Sequence, residues 1–475
     1  MKKSIARISC FLVLLCLALM AWNHVFKIKH VDGIYDMTKF YDLDRDTVDV
    51  LILGSSHAFE DFNTGTLWDE HGMSSYVLGG SIQPMWNTYY YLKEALKTQS
   101  PGLIVLEGFC LTFSSEYSDD SRIIKNNYGL KWSPDKIESL KISAPEAQWP
   151  DFFLEYSQYH TRYGELSRSD FLKDQGNPFY ATWKGFLCNM ATKQCEAPDV
   201  TEVMDREDLH EKTEKYFRAI LELARDRHIP IACVIAPYAK ITEKDQKKYN
   251  QAAVIASEYD VPFLNCNLHL QDIGLDYTVD AADRAHLNYR GNRKFTEYVG
   301  QYLIEHFDIP DRRGMDRYQS WQESADYIRQ MIADHELSQS PDATSMLQRA
   351  ASSNYWLIVS IDGSCNPLDE PIRGYLKGLG IKDAEAKGLY LIADDKVTCH
   401  TGQKEGETYI STPAHDIYLK HEPDETGEYA NTIVIDNETY AKVKNGINLV
   451  FYDSMTDTIA YHTGLSQKDG YTTLQ

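Results

Sequence analysis

Ser56 is the first residue placed where it could do chemistry. It stands in Gly54-Ser55-Ser56-His57, directly after the apolar run Val48-Asp-Val-Leu-Ile-Leu53. A buried strand ending there puts the serine at the carboxyl edge of a sheet, where open α/β folds bind ligands. Its hydroxyl becomes a nucleophile once a base takes the proton, and neighbouring backbone N–H groups can stabilise an oxyanion. A Ser-rich turn that only caps a helix reads the same way. Of fifteen histidines, only His286 has an aspartate three residues earlier, in Asp283-Arg284-Ala285-His286. At that spacing a carboxylate can reach Nδ1, fix the tautomer and leave Nε2 to take the serine proton. Asp280 competes as the carboxylate and His57 as the base. Adjacent side chains rarely point at each other's hydroxyl, so His57 reads as a turn or substrate-contact residue.

Gly79-Gly80-Ser81-Ile82-Gln83-Pro84 follows a second apolar run, Ser75–Leu78. Glycines let backbone N–H groups approach a reacting carbonyl, although a tight strand-to-helix turn explains Gly79 and Gly80 equally well. Gln83 is harder to explain that way. Further on, Tyr159-His160-Thr161-Arg162-Tyr163 and Trp183-Lys184-Gly185-Phe186 mix aromatic and cationic groups. His160 and Arg162 could hold an anionic sugar substituent while the rings stack on the sugar. The alternative is a lid packing its own small core.

The elements that must position these residues alternate short apolar runs with amphipathic stretches, the pattern of parallel α/β units. Strands are expected at 48–53, 75–78, 103–107, 229–236 and 261–266. Helices are expected near 86–97, 243–259 and 291–306. Five strands with crossover helices make a doubly wound, flavodoxin-like parallel sheet. The stretch of about 111–212 interrupts it, rich in Trp, Tyr and Phe, and reads as a functional insertion or lid. Residues 312–352 read as a polar helical connector. Beyond it, strands at 355–362, 388–393, 431–436 and 446–453 and a helix near 370–379 make a separate β-rich (α+β) domain, 353–475.

The totals agree with two or three domains: 475 residues, 43% hydrophobic and 25% charged, which excludes wholesale disorder. A net charge of −22 argues against nucleic acid as a partner. Lys2, Lys3 and Arg7 precede an apolar run from Ile8 to Phe26, long enough to approach the ~30 Å of a hydrocarbon core. A cleaved signal peptide, with a site near Leu19-Met20-Ala21, and an uncleaved anchor both fit. The leading positive charges favour the anchor, with residues 1–30 as the anchor segment and the rest outside the cytoplasm. Lys27 and Lys29 on the far side pull the other way. Nine cysteines include no metal-type CxxC pair; Cys188 and Cys195 could close a short loop. No metal or organic cofactor is expected.

Together, Gly54-Ser55-Ser56, Leu78-Gly79-Gly80-Ser81-Ile82-Gln83-Pro84 and Asp283-x-x-His286-Leu287-Asn288 resemble the blocks of the SGNH/GDSL hydrolase superfamily. More closely, they resemble its membrane-anchored branch beside cell-surface acyl transfer, including the D-alanyl-lipoteichoic-acid transfer proteins. The resemblance covers roughly 48–115 and 218–307, within an SGNH-like domain of 31–311. It implies Ser56 as nucleophile, His286 as general base and Asp283 as orienting acid, with N–H groups of Ser56 and Gly79 or Gly80 in the oxyanion hole. Ser55 stands where that motif usually has Asp. Leu106-Glu107-Gly108 stands where it offers an Asn donor, so Gln83 is the candidate replacement. In the tail, Tyr355–Asp362, Leu376–Lys382 and Asn445–Tyr452 resemble the interleukin-like EMT inducer domain, which can bind sugar. These resemblances imply a serine esterase or O-acyltransferase acting on a polysaccharide or glycopolymer, with a membrane acyl-exporting protein as a possible partner. A catalytically inactive glycan-binding surface protein is the alternative.

Overall fold

The computed structural model describes residues 2–29, 31–166, 168–171, 183–350, 355–362, 370–381, 386–393, 396–468 and 471–474. Cys365, Lys382 and the end of the 312–352 stretch lie outside them. The chain divides into two compact units, Met1–Asp326 and Tyr327–Gln475. The boundary falls inside the helix Gln319–Ser338.

In the first unit β1 (Val50–Gly54), β2 (Ser75–Gly79), β3 (Leu103–Glu107), β4 (Ile231–Ile235) and β5 (Phe263–Asn265) form one sheet in the order β2-β1-β3-β4-β5. Every pairing is parallel, which gives the flavodoxin-like doubly wound arrangement. Helices cover both faces, so β1 to β4 are buried along their whole length. That is why they read as unbroken apolar runs. Leu51, Leu53, Ile104 and Leu106 face one core, with Leu92, Phe217 and Ile220. Val50, Ile52, Val105 and Val234 face the other, with Phe62, Phe295 and Val299. The register Gly54↔Gly79 ends β1 and β2 level with each other, at one edge.

The edge strand β2 is not left open, as an unpaired strand invites association. Val77 N–H donates to the Lys184 carbonyl at 2.9 Å, and Trp321 Nε1 to the Ser75 carbonyl at 2.8 Å. Gly185, at φ 81°, lies so close that a Cβ would stand 2.0 Å from the Val77 carbonyl oxygen. Trp183 and Phe186 are fully buried in this strap, so they pack rather than stack on a ligand. The helix Glu211–Asp226 supplies the crossover between β3 and β4. The described part of the insertion is built of short helices with a small core of Ile123, Tyr128, Leu140, Phe152 and Tyr159. Cys188 and Cys195 are buried free thiols, so no bridge closes that loop.

In the second unit, β6 (Tyr355–Ile361) and β7 (Ile447–Asp453) lie at the centre of a six-stranded antiparallel sheet, and a four-stranded sheet packs on one face. Alternation along β6 sends Ile358 to the second sheet, among Ile417, Leu419 and Ile433. It sends Leu357 and Val359 the other way, to Met346, Ile372 and Leu376 of two helices.

Candidate active site

At Gly54, the last residue of β1, there is no room for a side chain. A Cβ there would lie 2.7 Å from that of Glu107 and 3.0 Å from that of Ala58. The chain turns at once into the six-residue helix Ser56–Asp61, with Ser55 as its cap: Ser55 Oγ accepts the His57 N–H at 3.3 Å. Ser56 therefore sits at the head of a helix, at the level where β2 also ends. Gly79 allows that close passage, since a Cβ on it would stand 2.8 Å from the Gly54 carbonyl oxygen.

The other side of the site is a tight hairpin between β5 and the helix Tyr289–His306. Ala281 and Leu287 bridge across it, and Ala282 N–H donates to the His286 carbonyl at 2.9 Å. Asn288 caps the following helix, accepting from the N–H groups of Arg290 and Gly291. The hairpin points His286 Nε2 at Ser56 Oγ, 2.8 Å away. Nδ1 lies 3.2 Å from Asp283 Oδ2, while Asp283 Oδ1 accepts the N–H groups of Ala285 and His286 at 2.5 and 3.0 Å. Burial works against the charge on Asp283, but the Ala285 N–H and the His286 ring outweigh it and hold the carboxyl below its ordinary range. Its rival Asp280 is turned away: Oδ2 accepts from Lys294 Nζ at 2.6 Å and from the Asp276 N–H at 2.8 Å.

Three acidic residues complete the surroundings, none of them marked by sequence spacing. Asp61 is fully buried and its Oδ1 accepts the Leu287 N–H at 2.9 Å, fastening the His286 hairpin to the serine's own helix. Burial pushes its carboxyl well above the usual range despite that N–H. Glu60 Oε1 lies 3.7 Å from His286 Nε2, and its Oε2 accepts from Asn189 Nδ2 at 3.1 Å. Burial also raises Glu60, partly offset by the imidazole. Glu107 accepts from Ser55 Oγ at 3.1 Å and from the Phe109 N–H at 2.6 Å. Burial pushes it up to about 7 against these donors. It thus braces the turn from beneath rather than offering a donor to a ligand.

The remaining sequence candidates lie elsewhere. His57 is 1% exposed, stacked on Phe109 at 4.0 Å between ring centroids, and among the described residues neither ring nitrogen has a hydrogen-bond partner. Its Nδ1 lies 3.5 Å from Asp61 Oδ2. A ring so enclosed packs as a wall of the site, and burial drives its pKa well below the ordinary value. Gln83 is fully buried and its Nε2 donates to Thr88 Oγ1 at 3.1 Å, within the fold. Gly80 lies against Asn126, whose Oδ1 would stand 2.2 Å from a Cβ on it. Arg162 donates to the Phe26 carbonyl at 2.6 Å and pairs with Asp170 at 3.1 Å, so its guanidinium secures the end of the helix Lys2–Phe26. His160 is exposed on the same segment.

No family model matches this chain, and no curated protein matches it. Among solved structures, the chain is similar to one from Bacteroides fragilis described as a candidate acylhydrolase. Identity is 10%, the TM-score is 0.29, and the match covers 57% of this chain and 95% of the other. It is also similar to a GDSL-like lipase from Bacteroides thetaiotaomicron, at 11% identity and a TM-score of 0.28, covering 58% and 99%.

Proposed function

We propose that this chain is an extracytoplasmic, membrane-anchored serine esterase or O-acyltransferase acting on cell-envelope or exported polysaccharide. The observation that carries the reading is the line Ser56 Oγ, His286 Nε2, His286 Nδ1, Asp283 Oδ2, with steps of 2.8 and 3.2 Å across the ring. Ser56 Oγ attacks an acyl carbonyl as its proton passes to Nε2. Asp283, kept ionised, holds the tautomer and stabilises the imidazolium. The departing alcohol takes the proton from Nε2, leaving an acyl group on Ser56. Water or a sugar hydroxyl, deprotonated by the same nitrogen, then receives the acyl group and frees the serine. N–H groups of Ser56 and of Gly79 or Gly80 are the proposed oxyanion donors. The second unit is the proposed glycan-binding module, and an acyl-exporting membrane protein the proposed source of donor.

The test is a fluorophosphonate probe on the full chain in detergent, followed by peptide mapping. One adduct on Ser56, absent in His286→Ala, is expected. No adduct on folded protein would sink the enzyme reading. Incubation with an acetylated glycan and an unacetylated acceptor then separates transfer from hydrolysis, by acceptor mass gain or by free acetate alone.

A second reading, a catalytically silent glycan-binding protein, is favoured by Glu107. It stands where an Asn donor was expected, and both its oxygens accept bonds from the turn. Glycan binding without any Ser56 adduct would select it.

A further inference from the structure

The helix Lys2–Phe26 does not end in a free linker. Its last turns pack on the insertion: Trp22 stacks on Phe26, with centroids 4.5 Å apart, and meets Tyr159 at 6.1 Å. Asn23 accepts from the Tyr159 hydroxyl. Arg162 grips the Phe26 carbonyl at 2.6 Å, and Lys29 Nζ donates to the Asp170 carbonyl at 2.6 Å. These contacts hold the end of the helix to the first unit, and Ile5–Phe26 is long and apolar enough to cross a membrane.

Beside that helix runs a groove of about 520 Å³, lined by five apolar residues, Leu19, Trp22, Trp132, Phe153 and Leu154, and by Asn23 and Glu155, a volume within the ~300–1,000 Å³ of ligand pockets. The helix register fixes its depth. Leu19 lies seven residues before Phe26, which at ~1.5 Å per residue is ~10 Å back along the axis. If the helix spans a bilayer as far as Phe26, the groove opens into lipid. Two of its lining residues are bare, Trp132 and Leu154 at 56% exposed each, and elsewhere on the insertion Tyr163 and Phe171 are bare too. Such residues are costly in water and favoured at the acyl–headgroup boundary. The one charged lining residue, Glu155, is neutralised by the buried Lys136 Nζ at 2.6 Å, and that ammonium also lies 4.7 Å over the Trp132 ring.

We propose that Trp132, Phe153 and Leu154 form a lipid-facing foot of this protein, and that the groove beside the helix holds the acyl chain of a bilayer phospholipid. The proposal does not depend on the serine chemistry. The full chain would be reconstituted in phosphatidylcholine–phosphatidylglycerol vesicles containing a trace of phosphatidylcholine with a diazirine midway along one acyl chain. After illumination, cross-linked peptides are mapped by mass spectrometry. Adducts on Trp132, Phe153 or Leu154, beside those on the helix itself, are expected. In Trp132→Glu/Leu154→Glu, labelling of the 130–155 peptides should fall by at least about tenfold while helix labelling persists. Adducts confined to Ile5–Phe26 in the unaltered protein would overturn the proposal, whatever the variant does. Adducts on Tyr163 and Phe171 with none on Phe153 or Leu154 would also overturn it, since they would mean a wetted surface and an unfilled groove.

Discussion

The two units treat buried polar groups in opposite ways. In the second unit they are matched and closed. Asn431 Nδ2 donates to the Ile361 and Gly388 carbonyls at 3.0 Å each, and its Oδ1 lies 2.6 Å from His421 Nδ1. Asn448 both accepts from and donates to Val443 backbone at 2.9 Å. At the carboxyl edge of the first unit the groups are left short. Among the described residues, His57 Nε2, Gln83 Oε1 and Asn126 Oδ1 are buried without a hydrogen-bond partner, and leaving such a group unpaired costs about 1–3 kcal/mol. Such a cluster is tolerated where a protein needs strained, pre-organised groups near reacting atoms. The matched network of the second unit serves fold and surface, and the unmatched one surrounds Ser56.

The contrast can be broken most sharply at the serine. Ser56→Ala should lower acyl-ester turnover by at least about 10⁴-fold with an unchanged melting curve. A variant retaining more than a tenth of the activity would move the chemistry elsewhere. Asp283→Asn should cost less, about 10²-fold in kcat with little change in KM, because its carboxylate is 46% exposed and water can substitute in part. Asp61→Ala separates positioning from chemistry. It strands the Leu287 N–H and should destabilise the first unit by ~1–3 kcal/mol, with slower fluorophosphonate labelling but the same labelled residue.

Glu107 gives a pH signature. Folding raises its pKa from 4.5 to about 7, so the fold favours the protonated acid. That stability is fully present below about pH 4.5 and is lost as pH rises through about 7, by ~3 kcal/mol. Denaturant melts of Glu107→Gln at pH 5 and pH 8 should differ by less than those of the unaltered protein; equal differences would refute the assignment. The smallest effect on labelling belongs to the second unit. His421→Phe should cost it ~1–3 kcal/mol and leave the Ser56 labelling rate untouched.

Much of the first unit could be read in the sequence because parallel strands buried on both faces are written as continuous apolar runs. The spacing Asp283-x-x-His286 was likewise visible, since the hairpin is local. Asp61, Glu60 and Glu107 were not, because a lone acidic residue carries no mark of its depth, and their partners are Leu287, Asn189 and Ser55. Strands of the second unit such as Lys396–Thr401 and Gly406–Ser411 were missed for a related reason. The first is exposed over most of its length and the second alternates half-buried and exposed positions, so neither carries the apolar run that marks the core strands. Gln83 reads as a candidate donor because a turn does not need it; in the fold its Nε2 donates to Thr88 Oγ1, a partner the sequence spacing does not mark.

Asp32 gives the proposed anchor a consequence for kinetics. Its carboxylate accepts the Ser81 N–H at 2.6 Å and pairs with Lys125 at 2.6 Å, pinning the turn after Gly79-Gly80 to the chain six residues beyond Phe26. Six residues can span at most ~20 Å, so that turn cannot drift farther than this from the end of the apolar helix. With the helix in a bilayer, encounters with any substrate held at the same surface become two-dimensional. Turnover would then follow molecules per unit area rather than molar concentration, and diluting the protein with detergent would slow it even where every residue of the site is intact.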